Sequence, residues 1–156
     1  MALLASPLAT MAQATSPLAH TSATRAHALR LRPGDDLRDA LLAYVAQHHL
    51  QAGAVLTCVG SLTVATLRLA NQEGPTEYRG HFEIVSLVGT LSSTGGSHLH
   101  LSIADSTGRT LGGHLLAGCR VYTTAEIVLV ALPELEFVRE TDPAFGYKEL
   151  VVKPKK

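Results

Sequence analysis

The chain has no tryptophan, only two cysteines and two methionines, and aromatic side chains make up 4% of its 156 residues. A core built from it must be filled by Val, Leu, Ile and Ala. Two cysteines exclude a disulfide-dense scaffold. Cys58 and Cys119 both stand in apolar, strand-like contexts, so they read as buried thiols in a reducing compartment rather than as a disulfide. An excess of either charge is also missing. Lys and Arg total 13 and Asp and Glu total 13, giving a formal net charge of +0. That balance argues against a strong electrostatic grip on nucleic acid or an anionic membrane. No apolar run reaches the ~18 residues that a membrane-spanning helix needs. Together with the thiols, this leads us to expect a cytoplasmic protein with no membrane partner. No Ser-His-Asp order, phosphate-binding loop or paired CxxC is present either.

Residues 1–24 contain no charged side chain and are rich in Ala, Ser, Thr, Leu and Pro. We expect a flexible leader there, with Met11 as a second candidate start; a secretory signal would carry a positively charged beginning. The chain as a whole is 46% hydrophobic, enough for one domain with a sizeable core. A first strand is expected from Ala26 to Arg32, then a turn at Pro33-Gly34 and a helix capped by Asp35 or Asp36. Leu37, Ala40, Leu41, Tyr44 and Val45 would form its apolar face, and His48 and His49 would close it. Beyond Gly53 the pattern is almost wholly β. A short strand is expected over Ala54–Val59, interrupted at Gly60-Ser61 and resumed over Leu62–Leu69. In a long strand over Glu77–Leu91, Tyr78, Phe82, Ile84 and Val88 would share one face, with Val85 and Leu87 on the other. Another strand is expected from Gly118 to Leu132, with Glu126 on the face of Val128 and Val130. Shorter strands over Leu135–Arg139 and Glu149–Val152 and a solvated basic tail over 153–156 complete the pattern.

Chemistry concentrates in Gly95-Gly96-Ser97-His98-Leu99-His100-Leu101-Ser102-Ile103-Ala104-Asp105. Strict alternation marks a half-buried strand with His98 and His100 on the polar face. Asp105-Ser106-Thr107-Gly108 reads as a tight turn, and the chain returns through Gly112-Gly113-His114. A hairpin about Thr107 places His114 opposite His100, and a two-residue step places it opposite His98. Directly opposed Cβ atoms lie roughly 4.5–5.5 Å apart, so three imidazoles can converge as a divalent metal requires. A one-residue slip would turn His114 away, unless a bulge at Gly112-Gly113 restored it. Three exposed, hydrogen-bonded histidines are the plain alternative.

The run Phe82-Glu83-Ile84-Val85-Ser86-Leu87-Val88-Gly89-Thr90-Leu91, the stretch His98–Asp105, Gly108-Arg109 and Gly112-Gly113-His114-Leu115 resemble the PPC domain (plant and prokaryote conserved domain, DUF296). Gly118-Cys119, Thr123–Ile127, Arg32–Asp36 and Val59–Leu62 extend the likeness over about residues 25–140, and we take the domain as 25–152. The resemblance implies an α/β (α+β) fold, a mostly antiparallel sheet with one main helix packed on it. It implies a homotrimer, and a metal held by His98, His100 and His114 in prokaryote-type single-domain members. Plant members join the domain to an AT-hook, a Gly-Arg-Pro core that binds A·T-rich minor groove, and use the domain itself for assembly. This chain contains no Gly-Arg-Pro.

Three functions compete at this point. The first is a trimeric metal-binding assembly or regulatory module. The second is DNA binding by family association, carried by Arg25, Arg30, Arg32 and Lys153–Lys156. The third is a metal-dependent enzyme on an unknown small substrate, with Glu126 as base or as partner of a ligand. Zinc is the expected ion. Water is the first choice for a fourth ligand, ahead of Cys119, Glu126 and His81.

Overall fold

The computed structural model describes residues 19–144 and 146–155. The elements are β1 (Arg25–Leu31), α1 (Leu37–Gln47), β2 (Gly53–Arg68), β3 (Thr76–Ser92), β4 (Gly96–Ala104), β5 (Thr110–Leu115), β6 (Arg120–Ala131), β7 (Leu135–Thr141) and β8 (Lys148–Pro154). Six strands form one sheet in the order β1-β6-β2-β3-β4-β5, and β7 and β8 form a separate ribbon. Every pairing is antiparallel. The fold is thus the expected α+β class.

The sheet also closes on itself. The end of β2 pairs with β5 through Leu67↔Leu115 and Arg68↔His114, so β2, β3, β4 and β5 make a small closed ring. Gly113 permits that closure, because a Cβ there would stand 2.7 Å from the Arg68 carbonyl oxygen. The interior is aliphatic, as the scarcity of aromatics requires. Leu62, Leu67, Leu87, Leu101, Ile103 and Leu129 are all fully buried.

Helix α1 forms where the caps and apolar spacing place it. Asp36 accepts hydrogen bonds from the backbone N–H groups of Arg38 and Asp39 at 3.1 and 3.0 Å. Its other carboxylate oxygen accepts from Gly118 N–H at 2.6 Å, fastening the helix start to the turn before β6. Leu37, Leu41 and Val45 occupy successive turns of one stripe and are buried. Truncating such a leucine to alanine costs about 2–5 kcal/mol. His48 caps the helix and His49 takes φ 51°, so these two residues end the helix, as expected.

Two expectations about strands fail for one reason. Gly60-Ser61 does not interrupt a strand: β2 is continuous, and its ladder with β6 shifts between Gly60 and Leu62. On β3 the ladder with β4 shifts between Ile84 and Ser86. The extra residue puts Ile84 and Leu87 together on the core face, while Val85 and Val88 face out at 55% and 53% exposure. Alternation counted along one strand cannot register a residue inserted relative to its neighbour.

Both ends of the described chain make specific contacts. Residues 1–18 of the expected leader lie outside the described residues. Near its end, Ser22 and Ala23 bond to Glu134: the Ser22 hydroxyl accepts from Glu134 N–H, and Ala23 N–H donates to the Glu134 carboxylate. At the other end, Lys153 and Pro154 belong to β8, and Lys153 pairs with Glu140 at 2.7 Å. Lys156 lies outside the described residues.

Candidate metal centre

The β4–β5 hairpin forms in the first of the two registers the spacing allows. Asp105 drives the turn, its carboxylate accepting from Thr107 N–H, Thr107 hydroxyl and Arg109 N–H. These bonds favour the charged form, and the Thr107 hydroxyl above all holds the Asp105 carboxyl below its usual range. Pairing then runs without a shift from Ala104↔Thr110 to His100↔His114. No bulge at Gly112-Gly113 is needed.

Leu99, Leu101 and Ile103 are buried, so alternation sends His98 and His100 outward, and the register brings His114 onto the same face. One ring nitrogen from each of His98, His100 and His114 lies within 4.8 Å of the others. His98 Nε2 and His100 Nε2 stand 3.2 Å apart. Nitrogens bound to tetrahedral zinc at about 2.0–2.1 Å are separated by about 3.3 Å. The donor set could therefore hold a divalent ion. The rings of His98 and His114 are stacked at 5.1 Å and 12°, with His100 edge-on to both.

The surroundings favour neutral imidazole. Partial burial lowers the His98 pKa, and the Arg139 guanidinium lowers it further. His114 is lowered by burial first and then by Arg68. Neutral rings are the form that binds metal.

β3 approaches β4 closely beside the histidines. Gly89, opposite Leu99, has φ 135°, and a Cβ there would collide with the His98 carbonyl oxygen. Only glycine suits both the dihedral and the space.

The other candidates lie elsewhere. Cys119 is fully buried and exchanges hydrogen bonds with the Thr66 backbone at 3.2 and 3.4 Å. Burial pushes its thiol pKa up to about 11, and that of Cys58 up to about 12, so both free thiols are inert. Glu126 faces Arg30 on β1 and Val59 on β2, and His81 packs on Tyr122 at 4.4 Å. None of the three joins the histidine group among the described residues. Sequence reasoning missed the residues that do flank it. A cavity of about 540 Å³ opens beside His98 and His114, with Arg38, Arg68, Arg139, Lys148 and Glu149 in its wall. Arg68 ends β2, while Arg139 and Glu149 arrive on the β7–β8 ribbon, and no local motif marks them.

Comparison with known proteins agrees with this architecture. The chain is 53% identical over 126 residues to the bifunctional protein GlmU of Synechococcus sp. strain JA-2-3B'a(2-13), covering 81% of this chain and 20% of that protein. It is 34% identical over 111 residues to AT-hook motif nuclear-localized protein 13 of Arabidopsis thaliana, covering 61% of this chain and 25% of that one. The chain thus spans about a fifth to a quarter of the length of these curated relatives. A hypothetical protein of Salmonella enterica has a solved structure that superposes with a TM-score of 0.86 at 44% identity, covering 88% of this chain and 99% of that one. A metal-containing protein of Archaeoglobus fulgidus shares the fold, with a TM-score of 0.73 at 22% identity and coverage of 88% and 99%. The profile of the Plants and Prokaryotes Conserved (PCC) domain matches residues 19–133, and the chain belongs to that family.

Proposed function

We propose that the chain is a homotrimeric, metal-binding assembly or regulatory module, with zinc held by His98, His100 and His114. The observation that carries this reading is the convergence of three ring nitrogens on an exposed strand face. When bound, the ion would supply a fixed positive charge and an open coordination position. The chain's own part is to hold three neutral imidazoles in place through the β4–β5 register and the close approach at Gly89.

Trimer formation is supported by an uncovered apolar face. Leu56 and Val59 on β2, Val85 and Val88 on β3, and Tyr122 on β6 are 44–65% exposed. Grouped apolar exposure of this kind marks an interaction surface. A second reading, a metal-dependent enzyme, is favoured by the cavity beside the histidines. Nucleic-acid binding has weaker support. An Arabidopsis relative is an AT-hook protein, yet this chain has balanced charge and no Gly-Arg-Pro.

Elemental analysis beside light scattering tests the proposal. About one metal ion per chain and the mass of three 16.5 kDa chains are expected. Replacing Leu56 by Lys should give a folded monomer that still binds metal. A wild-type monomer without metal would sink both parts.

A further inference from the structure

The cavity beside the histidines carries more positive charge than the structure uses. Arg38, Arg68, Arg139 and Lys148 line it, against one carboxylate, that of Glu149. Arg68 and Arg139 are half-buried. Among the described residues, Arg68 donates only to the Gln72 carbonyl, at 3.5 Å. Arg139 donates to the Lys148 carbonyl at 3.3 Å and to the Thr90 hydroxyl at 3.4 Å. Neither meets a carboxylate among the described residues, where the ion pairs are Arg38–Asp39, Arg79–Glu77 and Lys153–Glu140. Two half-buried guanidiniums with spare donors, in the wall of one cavity, suit an oxyanion.

The position of this receptor narrows its ligand. The cavity wall includes His98 and His114 themselves. A molecule held by Arg68 and Arg139 therefore lies within reach of an ion on the histidines. The cavity, about 540 Å³, falls within the range of small-molecule sites and is bounded by β4, β5, the end of β2 and the β7–β8 ribbon. That volume suits a compact anion.

Resting on the metal reading above, we propose that this cavity binds a small molecule bearing a carboxylate or phosphate group. Arg68 and Arg139 hold the anionic group, and an oxygen of the same molecule reaches the histidine-bound metal. Arg38 and Lys148 add positive potential to its wall. Glu149 sets a limit by repelling anions too large to stay clear of it.

Cobalt(II) in place of zinc makes the site visible by absorption. The cobalt-loaded full chain is titrated with inorganic phosphate, with malonate and with a DNA duplex, at constant ionic strength. Saturable change in the cobalt bands with phosphate or malonate is expected, and the tighter of the two assigns the anion class. Arg68→Gln and Arg139→Gln should each keep full cobalt while weakening the anion about tenfold to a hundredfold. Circular dichroism checks folding, and either variant suffices if the other unfolds. Full cobalt with a spectrum unmoved by either anion overturns this proposal alone. Failure to take up cobalt overturns the metal reading and the proposal with it. A duplex that displaces phosphate and binds more tightly than both anions gives the cavity to nucleic acid instead.

Discussion

Among the described residues, two clusters of three rings contain histidine, and they differ in what the histidines touch. In the β4–β5 group, one ring nitrogen from each of His98, His100 and His114 lies within 4.8 Å of the others. In the group at the other end, His27 on β1 and His48 at the end of α1 flank Tyr44. The His27 Nδ1 atom is bonded to the Tyr44 hydroxyl at 2.9 Å, and His48 lies on the Tyr44 ring with centroids 4.1 Å apart. A phenol between two imidazoles uses one nitrogen and separates the rest. The second group holds α1 against β1; the first leaves three donors free. Residue type alone does not make a ligand set: the partner between the rings decides.

The largest effect separates the two groups directly. His98→Ala and His114→Ala should each lower metal from about one ion per chain to near zero with the fold intact. His27→Ala should leave metal content unchanged. Metal analysis with circular dichroism measures both, and equal metal in all variants would put the ion elsewhere.

Gly89→Ala tests whether backbone approach supports the first group. The collision with the His98 carbonyl should cost about 2–4 kcal/mol of stability. It should also weaken metal binding, although no ligand is changed. Denaturant unfolding that matched wild type would show that β3 gives way without cost.

Tyr44→Phe removes the hydroxyl that engages His27. A loss of about 0.5–1.5 kcal/mol is expected, with metal content unaltered. A change in metal binding would mean that the two groups are coupled through the sheet.

The smallest effect is that of pH on the metal-free protein. His98 and His114 have pKa values below the ordinary 6.5 in the folded state, chiefly through burial. The unfolded chain therefore takes up protons first as pH falls through 6.5 toward those lower values. Stability present above that window should decline within it, slightly, because His98 is exposed and His114 only half-buried. Metal, which competes with protons for the rings, should be released only below that window. Thermal unfolding across pH 5–7.5, with and without zinc, provides the check.

The sequence by itself determined the local features. Strict alternation through Leu99, Leu101 and Ile103 defined which face His98 and His100 occupy. Asp105 and Gly108 centred the turn, and counting outward from Thr107 put His114 opposite His100. Asp35 or Asp36 as cap and the spacing of Leu37, Leu41 and Val45 specified the helix, and the structure chose Asp36. Each depends on residues a few positions apart, whose geometry is fixed by backbone periodicity and turn chemistry. Tertiary structure alone decided the extra residue at Val85, the closure of β2 onto β5, and the arrival of Arg68, Arg139 and Glu149 beside the histidines. These depend on the pairing of strands separated by long stretches of chain. Such pairing leaves no period in the sequence, because it is settled by which packing of the whole sheet buries the most apolar surface.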